Sequence, residues 1–410
     1  MASSDRLAQL WDAALPAARP MFGPDAIAML GTAEGLFPAD PIAATPRQIM
    51  WHPGRHLIIR YSVRTEGSPD APDQDVVAAT GDAIPRHLRD GDLAQVLAWH
   101  PRNDPWLPGL ASALSKRTVG TMLQSLGASS ATPQLKLRTY RPTKRAVVEV
   151  SHPDAKVYLK VVPPRSVARL NEMHRSFRST VRIPRSLGWS RDLGIAVLEG
   201  IPGRTLREAL ADPKATLPSP AALLGALKAL PLLPDATAVG GPTAAVARHI
   251  DLLERILPES QAVLEELRAG CAALPDDEAS DPVHGDFYES QVLVANGTIT
   301  GLIDIDRMGR GRRVDDLAML TGHLAAYAMS APDPGRVRAY ATGITSLADR
   351  MVDPTELRRV TAAAMVAMAT GPFRAQSPGW PESIQKRVFE AARWLASAQG
   401  NGKRSLTDTS

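Results

Sequence analysis

Residues 281–294 read DPVHGDFYESQVLV, and residues 299–320 read ITGLIDIDRMGRGRRVDDLAML. The first stretch sets His284 and Asp286 either side of Gly285, then runs into apolar residues that suit a strand, with Gln291 five positions after Asp286. The second is an apolar strand that ends on Asp304, where a carboxylate has no packing use. Asp306 follows two positions later, on the same face if the strand continues. Between the two stretches, Ala295-Asn296-Gly297-Thr298 reads as a tight hairpin turn, so Gln291 would come from the strand beside Asp304. Two carboxylates and an amide oxygen suit a divalent cation such as magnesium. A carboxylate near an acceptor hydroxyl, the place Asp286 could fill, is what phosphoryl transfer requires. Taken alone, His284-Gly285-Asp286 reads more readily as a turn whose side chains bond backbone; the Asp304 stretch shifts the balance toward chemistry. Asp315 and Asp316 open the next helical segment, and helix capping is the preferred reading of Asp316.

Upstream, LKLRTY, AVVEVS and KVYLKVV form three short strand-like runs bounded by turns. PRSVARLNEMHRSFRST then places Val167, Leu170, His174 and Phe177 on one helical face. GIAVLEGIPGRTL (194–206) is an apolar strand followed by a Gly-Pro-Gly bend, and from Thr205 onward the chain is mostly helical. Further forward, WHPGRHLIIRYSV (51–63) lines up with YRPTKRAVVEVSH (140–152), each a tight turn entering a strand. Residues 5–16 suit a helix, and 93–114 a strand, a Pro-rich turn and a short helix. Trp51, Trp99 and Trp106 imply burial of the N-terminal segment, and Trp11, Trp189 and Trp394 read as packing residues. The organisation expected is α+β: a cap over 1–115, a small β-rich lobe over 116–198, a helical lobe over 199–400, and a frayed tail at 401–410.

The two motifs, in this order and about twenty residues apart, resemble the aminoglycoside phosphotransferase and choline kinase family, which shares a protein-kinase-like two-lobed fold. HGDFYESQ and IDIDRMGRG carry the resemblance, and Asp316-Leu317-Ala318 extends it. Gln291 stands where asparagine is usual and Asp306 where glycine is common, which is similar to the maltokinase branch; that branch also carries an N-terminal cap. Arg312 replaces a common aspartate. Within the branch the chain resembles actinobacterial glucosamine kinases most.

The resemblance implies ATP and Mg2+ as cofactors, Asp286 as catalytic base, and Gln291, Asp304 and Asp306 as metal ligands. It implies that Lys160, one charge in an apolar run, holds nucleotide phosphates; Lys156 suits an exposed edge better. Glu172, the one acid of the following helix, is Lys160's partner by elimination, or else a surface glutamate. Leu198, Glu199 and Ile201 take the position of the hinge that meets adenine. No Gly-rich loop precedes Lys160; Thr143, Lys144 and Arg145 stand there, read as a turn. His284, Asp286, Gln376, Trp380 and Glu382 are the acceptor candidates, a Trp beside polar side chains being suited to a sugar ring; the rival reading makes Trp380 a core plug.

Composition narrows the rest. The chain has 410 residues, with 47 basic and 43 acidic side chains spread along it, and this does not suggest nucleic-acid binding. Cys271 is the single cysteine, which excludes internal disulfides and thiolate zinc clusters. The N-terminal residues carry acids without a sustained apolar run, unlike a secretory signal, and the apolar stretches are too short to span a bilayer. A cytoplasmic monomer is expected, acting on a small sugar or amino sugar, with glucosamine ahead of maltose and maltose ahead of an aminoglycoside. An inactive kinase-like binding protein is the rival from another class; it should have lost Lys160, Asp286 or Asp304, and all three are present.

Overall fold

The computed structural model describes residues 3–67, 72–89, 95–153, 155–177, 179–232, 236–272 and 280–405. The chain divides into two compact units. The first comprises Met1–Arg175, Arg185–Gly200 and Pro372–Pro381; the second comprises Ser176–Pro184, Ile201–Gly371 and Glu382–Ser410.

In the first unit, β1 (Pro41–His52), β2 (His56–Thr65), β3 (Gln74–Gly81) and β4 (Leu97–Trp99) form an antiparallel sheet in chain order. A second antiparallel sheet has the order β5-β6-β7-β9-β8, from β5 (Gln134–Arg141), β6 (Arg145–His152), β7 (Ala155–Val161), β8 (Ser186–Ser190) and β9 (Ile195–Glu199). Alternation along β6 buries Ala146, Val148 and Val150 and turns their neighbours outward. One core joins the sheets: Ile58, Val77, Trp99 and Leu107 pack with Tyr140, Val148, Leu159 and Ile195. The N-terminal 115 residues and the strands that follow therefore bury their apolar faces against each other. The helices of this unit are α1 (Ser3–Ala8), α2 (Ala18–Phe22), α3 (Ala26–Gly31), α4 (Leu110–Ala113), α5 (Lys116–Ser125) and α6 (Pro164–Ser176).

The paired sequence stretches prove to be the same device built twice. In the β1–β2 hairpin His52 faces His56, and in the β5–β6 hairpin Arg141 faces Arg145, each across a Pro-initiated turn. The residue after proline has positive φ in both, +73° at Gly54 and +64° at Thr143. Each turn is pinned by an aspartate from far upstream. Asp12 Oδ2 accepts from Trp51 Nε1 at 3.1 Å and from the Gly54 amide at 2.8 Å. Asp104 Oδ2 accepts from the Tyr140 hydroxyl and from the Thr143 amide, both at 2.8 Å. The other oxygen of each aspartate accepts from the amide two residues on, Ala14 at 3.1 Å and Trp106 at 2.8 Å. A Leu-Pro pair follows each, Leu15-Pro16 and Leu107-Pro108. Thr143 has no glycine's freedom in the left-handed region, and the Asp104 carboxylate compensates the strain. The turn reading of Thr143-Lys144-Arg145 agrees with this geometry.

The second unit is mainly helical: α7 (Leu206–Ala211), α8 (Pro220–Lys228), α9 (Val246–Ile256), α10 (Gln261–Gly270), α11 (Arg313–Ala328), α12 (Pro334–Ala348) and α13 (Pro354–Ala369). α11 packs on α12 and α13 and is buried on most sides, through Leu317, Leu320, Thr321 and Leu324 among others. Small strands sit among the helices: β10 (Arg204–Thr205), β11 (Asp281–Val283), β12 (Val292–Ala295), β13 (Thr298–Leu302) and β14 (Gly309–Gly311). β12 pairs β10 and β13, and β11 pairs β14. The chain passes between units within α14 (Gly371–Arg374) and α15 (Trp380–Ser405).

Some expectations change. The first helix is shorter than residues 5–16, ending at Ala8, because Asp12 leaves helical geometry to reach the β1–β2 turn. Trp11 is 64% exposed and Trp189 38% exposed, so neither is a packing residue. Cys271 is buried, and burial pushes its thiol up to about 11. Of the tail at 401–410, residues 406–410 lie outside the described residues. Among those described, no helix is long and apolar enough to cross a membrane.

Asp104→Ala would leave the Tyr140 hydroxyl and the Thr143 and Trp106 amides without their acceptor. Burial raises the Asp104 pKa and these donors oppose the rise, so the carboxylate's value lies in its bonds. The substitution is expected to lower unfolding free energy by about 1–3 kcal/mol, measured by urea denaturation. An unchanged midpoint would show the pinned turn to be dispensable.

Candidate active site

The motif loop follows β11 and leads into β12. At Gly285 φ is +77°, and a Cβ there would come within 2.6 Å of the Arg307 carbonyl oxygen, so only glycine fits. Two bonds fix this bend. Asp316 Oδ2 accepts from the His284 amide at 2.6 Å, and Asp316 Oδ1 from the Gly285 amide at 2.9 Å. Asp316 therefore does not cap its own helix, as its position near the start of α11 suggested; its carboxylate reaches across to the loop. Burial pushes Asp316 up, opposed by His284 and the two amides, and burial pushes His284 down.

His284 is fully buried, with Nε2 at 3.0 Å from the Ile303 carbonyl oxygen. A carbonyl can only accept, so Nε2 carries the proton. Nδ1 is buried with no hydrogen-bond partner among the described residues. His284 is thus a strut between the loop and the strand end before Asp304. Expected as an acceptor contact, it has no surface to offer one.

Asp286 and Asp304 are both half-buried. Asp304 adopts a left-handed conformation, φ 56° and ψ 44°, directly after β13. The strand does not continue through Asp306; residues Ile305–Arg307 form a 3-10 turn, so Asp304 and Asp306 do not share a strand face as expected. Both still lie close enough to His284 to act on its proton affinity. Gln291 lies across from them: its carbonyl accepts from the Ile303 amide at 2.9 Å, and its own amide donates to the Tyr288 carbonyl at 2.9 Å. Gln291 is only 5% exposed, and its side-chain amide has no hydrogen-bond partner among the described residues. The Gln291 amide oxygen and the Asp304 and Asp306 carboxylates are hard oxygen donors, the chemistry that fits magnesium. No cluster of three or more His, Cys, Asp or Glu side chains able to hold a metal occurs among the described residues.

In the first unit, Lys160 is 5% exposed on β7, in register with Val147 and Ala196, whereas Lys156 is exposed and pairs with Glu149 at 3.2 Å. Glu172 lies exposed on α6, whose buried residues are Val167, Leu170, Asn171, Met173 and His174. Leu198 is buried at the end of β9, and Glu199 pairs with Arg185 at 3.0 Å while its amide donates to the Arg185 carbonyl. The Ile201 amide, in the second unit, has no acceptor among the described residues. Gln376 has positive φ, and its side chain donates to the Phe373 carbonyl at 2.5 Å. Trp380 is 1% exposed and meets Phe373 edge-on at 5.2 Å, so it is the core plug and presents no ring face to a sugar. Glu382 is exposed near the start of α15.

Sequence reasoning passed over Glu289 and Arg207. Glu289 lies in the same loop, its side chain 0% exposed, and pairs with Arg207 at 2.7 Å. A charged residue between Tyr288 and Ser290 in a loop of apolar and turn residues was the available signal; its partner 82 positions away was not.

The phosphotransferase enzyme family profile matches residues 139–353, a span that includes Lys160, Asp286, Gln291, Asp304 and Asp316. Solved structures with related folds include the apo form of a thermostable mutant of aminoglycoside phosphotransferase APH(4)-Ia. It is 18% identical, with 66% of this chain and 97% of that chain covered and a TM-score of 0.48. Aminoglycoside-3′-phosphotransferase of type VIII is 23% identical, covering 59% of this chain and 97% of its own, with a TM-score of 0.39. Macrolide 2′-phosphotransferase MphH from Brachybacterium faecium is 14% identical, covering 66% and 97%, with a TM-score of 0.41. A search of curated proteins found no match.

Asp316→Ala would strand the buried His284 amide and the partly buried Gly285 amide, a loss of about 1–3 kcal/mol. Urea unfolding is expected to report it, and hydrogen exchange should quicken at His284 and Gly285. Unchanged protection of those amides would remove Asp316 from the role of loop anchor.

Proposed function

The chain belongs to the phosphotransferase enzyme family, matched over just over half its length, and from that premise we propose that it transfers the γ-phosphoryl group of ATP to a hydroxyl of a small sugar-like acceptor. The observation that carries the proposal is the double tie within the motif loop. Asp316 holds the backbone at His284 and Gly285, and His284 ties that loop to Ile303, one residue before Asp304. A base and a metal ligand that must act together are thereby held in one rigid frame.

In this reading Asp286 accepts the proton of the acceptor hydroxyl as its oxygen bonds to phosphorus and ADP departs. Gln291 and Asp304 supply oxygen ligands for magnesium, with Asp306 as a further carboxylate. When bound, the ion neutralises charge on the nucleotide phosphates and orients them. Lys160 holds the α and β phosphates, with Glu172 as its proposed carboxylate partner. The Ile201 amide and the Glu199 carbonyl are the backbone groups offered to adenine, and Leu198 supplies apolar contact.

For the acceptor, glucosamine remains the sugar named from sequence, supported by Asp286 and Glu382 as carboxylates for an ammonium and by Gln376 as a polar contact. Trp380 and His284 are withdrawn from that set because both are buried. Maltose and aminoglycosides are the alternatives.

A panel of sugars, sugar acids, amino sugars and aminoglycosides, assayed with Mg-ATP by coupled ADP release, tests the activity. Asp286→Asn is expected to cut turnover by about 10²–10⁴ while ATP binding persists; retention of more than roughly a tenth of the rate would remove Asp286 as base. Asp304→Ala is expected to abolish the magnesium dependence of ATP binding in calorimetry. Unchanged Mg-ATP affinity would refute the metal assignment.

A further inference from the structure

The loop that carries Asp286 is held at its near end by Asp316, through the His284 and Gly285 amides. Beyond Asp286 it is held again. Glu289 Oε1 pairs with Arg207 Nη1 at 2.7 Å, and the Arg207 amide donates to the Glu289 carbonyl at 3.2 Å, so side chain and backbone both meet the start of α7. The Arg207 guanidinium in turn lies over the Tyr327 ring, 3.8 Å from its centroid, and the Tyr327 hydroxyl donates to the Arg207 carbonyl at 3.4 Å. Tyr288 stacks on His323, ring centroids 4.0 Å apart and planes 17° off parallel. Asp316, His323 and Tyr327 are spaced along α11 so that they share one helical face. One helix therefore backs the loop from His284 to Glu289, with Asp286 between the two points of attachment. All of these residues belong to the second unit.

The far attachment is an ion pair buried on one side only. The Glu289 side chain is 0% exposed and that of Arg207 is 43% exposed. Glu289 Oε2 is buried and makes no hydrogen bond among the described residues. His323 Nδ1 is 4.0 Å away, but burial above all pushes that ring down to about 3, so it is neutral at physiological pH and adds no second ion pair. Burial raises the proton affinity of Glu289, and Arg207 opposes the rise. Taking a carboxylate out of water offsets much of what its partner returns, so well-packed apolar side chains of similar size would hold the loop with equal or greater stability. A hydrogen-bonded ion pair supplies what apolar packing does not, one defined geometry, and here that geometry fixes the register of the loop along α11.

We infer that Glu289 and Arg207 are positioning residues: their ion pair, backed by Tyr327, fixes the far end of the loop and so sets where the Asp286 carboxylate stands relative to the acceptor hydroxyl. Neither side chain touches the reacting atoms in this role. The inference rests on the phosphotransferase reading and deepens it, giving the base a second support beyond the Asp316 anchor. A loop held at one end only can pivot, and a displacement of about 1 Å at a reacting group is enough to cost on the order of a hundredfold in rate.

The test pairs steady-state kinetics with amide hydrogen exchange in Arg207→Lys, Arg207→Met and the double variant Arg207→Met/Glu289→Leu. The double variant replaces the ion pair by apolar side chains of similar size and is expected to unfold in urea at or above the wild-type midpoint. With Mg-ATP and glucosamine, or the panel acceptor turned over fastest, its kcat is nevertheless expected to fall about tenfold to a hundredfold, with the KM for ATP unchanged. Arg207→Met should show the same fall, and Arg207→Lys should recover part of it by restoring the charge. Exchange should quicken at residues 286–289 in Arg207→Met and in the double variant, while the His284 and Gly285 amides, still held by Asp316, keep wild-type protection. A double variant as stable and as fast as wild type would overturn the inference and leave the phosphotransferase reading standing. So would a fall in kcat matched by lost protection at both ends of the loop, the mark of a general loss of stability. Absence of Asp286-dependent turnover in the wild type, with every acceptor of the panel, would defeat the phosphotransferase reading instead. The second attachment is then decided by exchange alone: unaltered protection at residues 286–289 in Arg207→Met would overturn it, and quickened exchange confined to them would uphold it.

Discussion

One carboxylate, that of Asp316, organises the motif loop of the second unit. Buried beneath the motif loop, it accepts from two consecutive amides at 2.6 and 2.9 Å. Those amides would otherwise be orphaned at a bend that only glycine can make. His284 extends the same frame by donating to the Ile303 carbonyl, so loop and strand end move as one body. Because the imidazole is kept neutral by burial, it serves as a hydrogen-bonding strut at no charge cost. Catalytic placement within a fraction of an ångström needs supports of this kind, whose own positions are locked by burial.

The first unit uses the same principle away from the chemistry. Asp12 and Asp104 each hold a strand turn through one side-chain donor and one backbone amide, and the two hairpins contribute to a single sheet-rich unit. Further ties reinforce the pairing: the Arg60 guanidinium of β2 lies 5.4 Å from the centroid of the Tyr140 ring, and Trp99 Nε1 donates to the Tyr140 hydroxyl at 3.3 Å. The N-terminal segment thus shares its apolar core with the strand that carries Lys160, so its contribution to stability is not separable from that strand's environment.

Charge is distributed differently in the second unit. Acids converge around the motif loop, and Arg207 pairs with Glu289 just beyond Asp286 in the same loop. Arg312, standing where a relative would carry an aspartate, spends its charge inside the fold on Asp315 at 3.0 Å and Glu356 at 2.6 Å.

Much of this was legible in the chain alone, because strand alternation, turn chemistry and motif spacing are local properties. The α+β order, the Asn296-Gly297 hairpin between β12 and β13, and the adjacency of Gln291 and Asp304 follow from residues within twenty positions of one another. Lys160 could likewise be separated from Lys156 because the apolar run buries one, whereas the other, expected at a sheet edge, lies exposed near the start of the interior strand β7. Tertiary structure decided everything that depends on partners distant in sequence. Asp316 looked like a helix cap until its amides proved to lie 31 and 32 positions upstream. Trp380 could be plug or platform until Phe373 was seen packed against it. Asp104 and Tyr140 are 36 positions apart, and Arg207 and Glu289 are 82. No propensity or periodicity encodes such pairings, since burial and charge balance exist only once the chain has closed on itself.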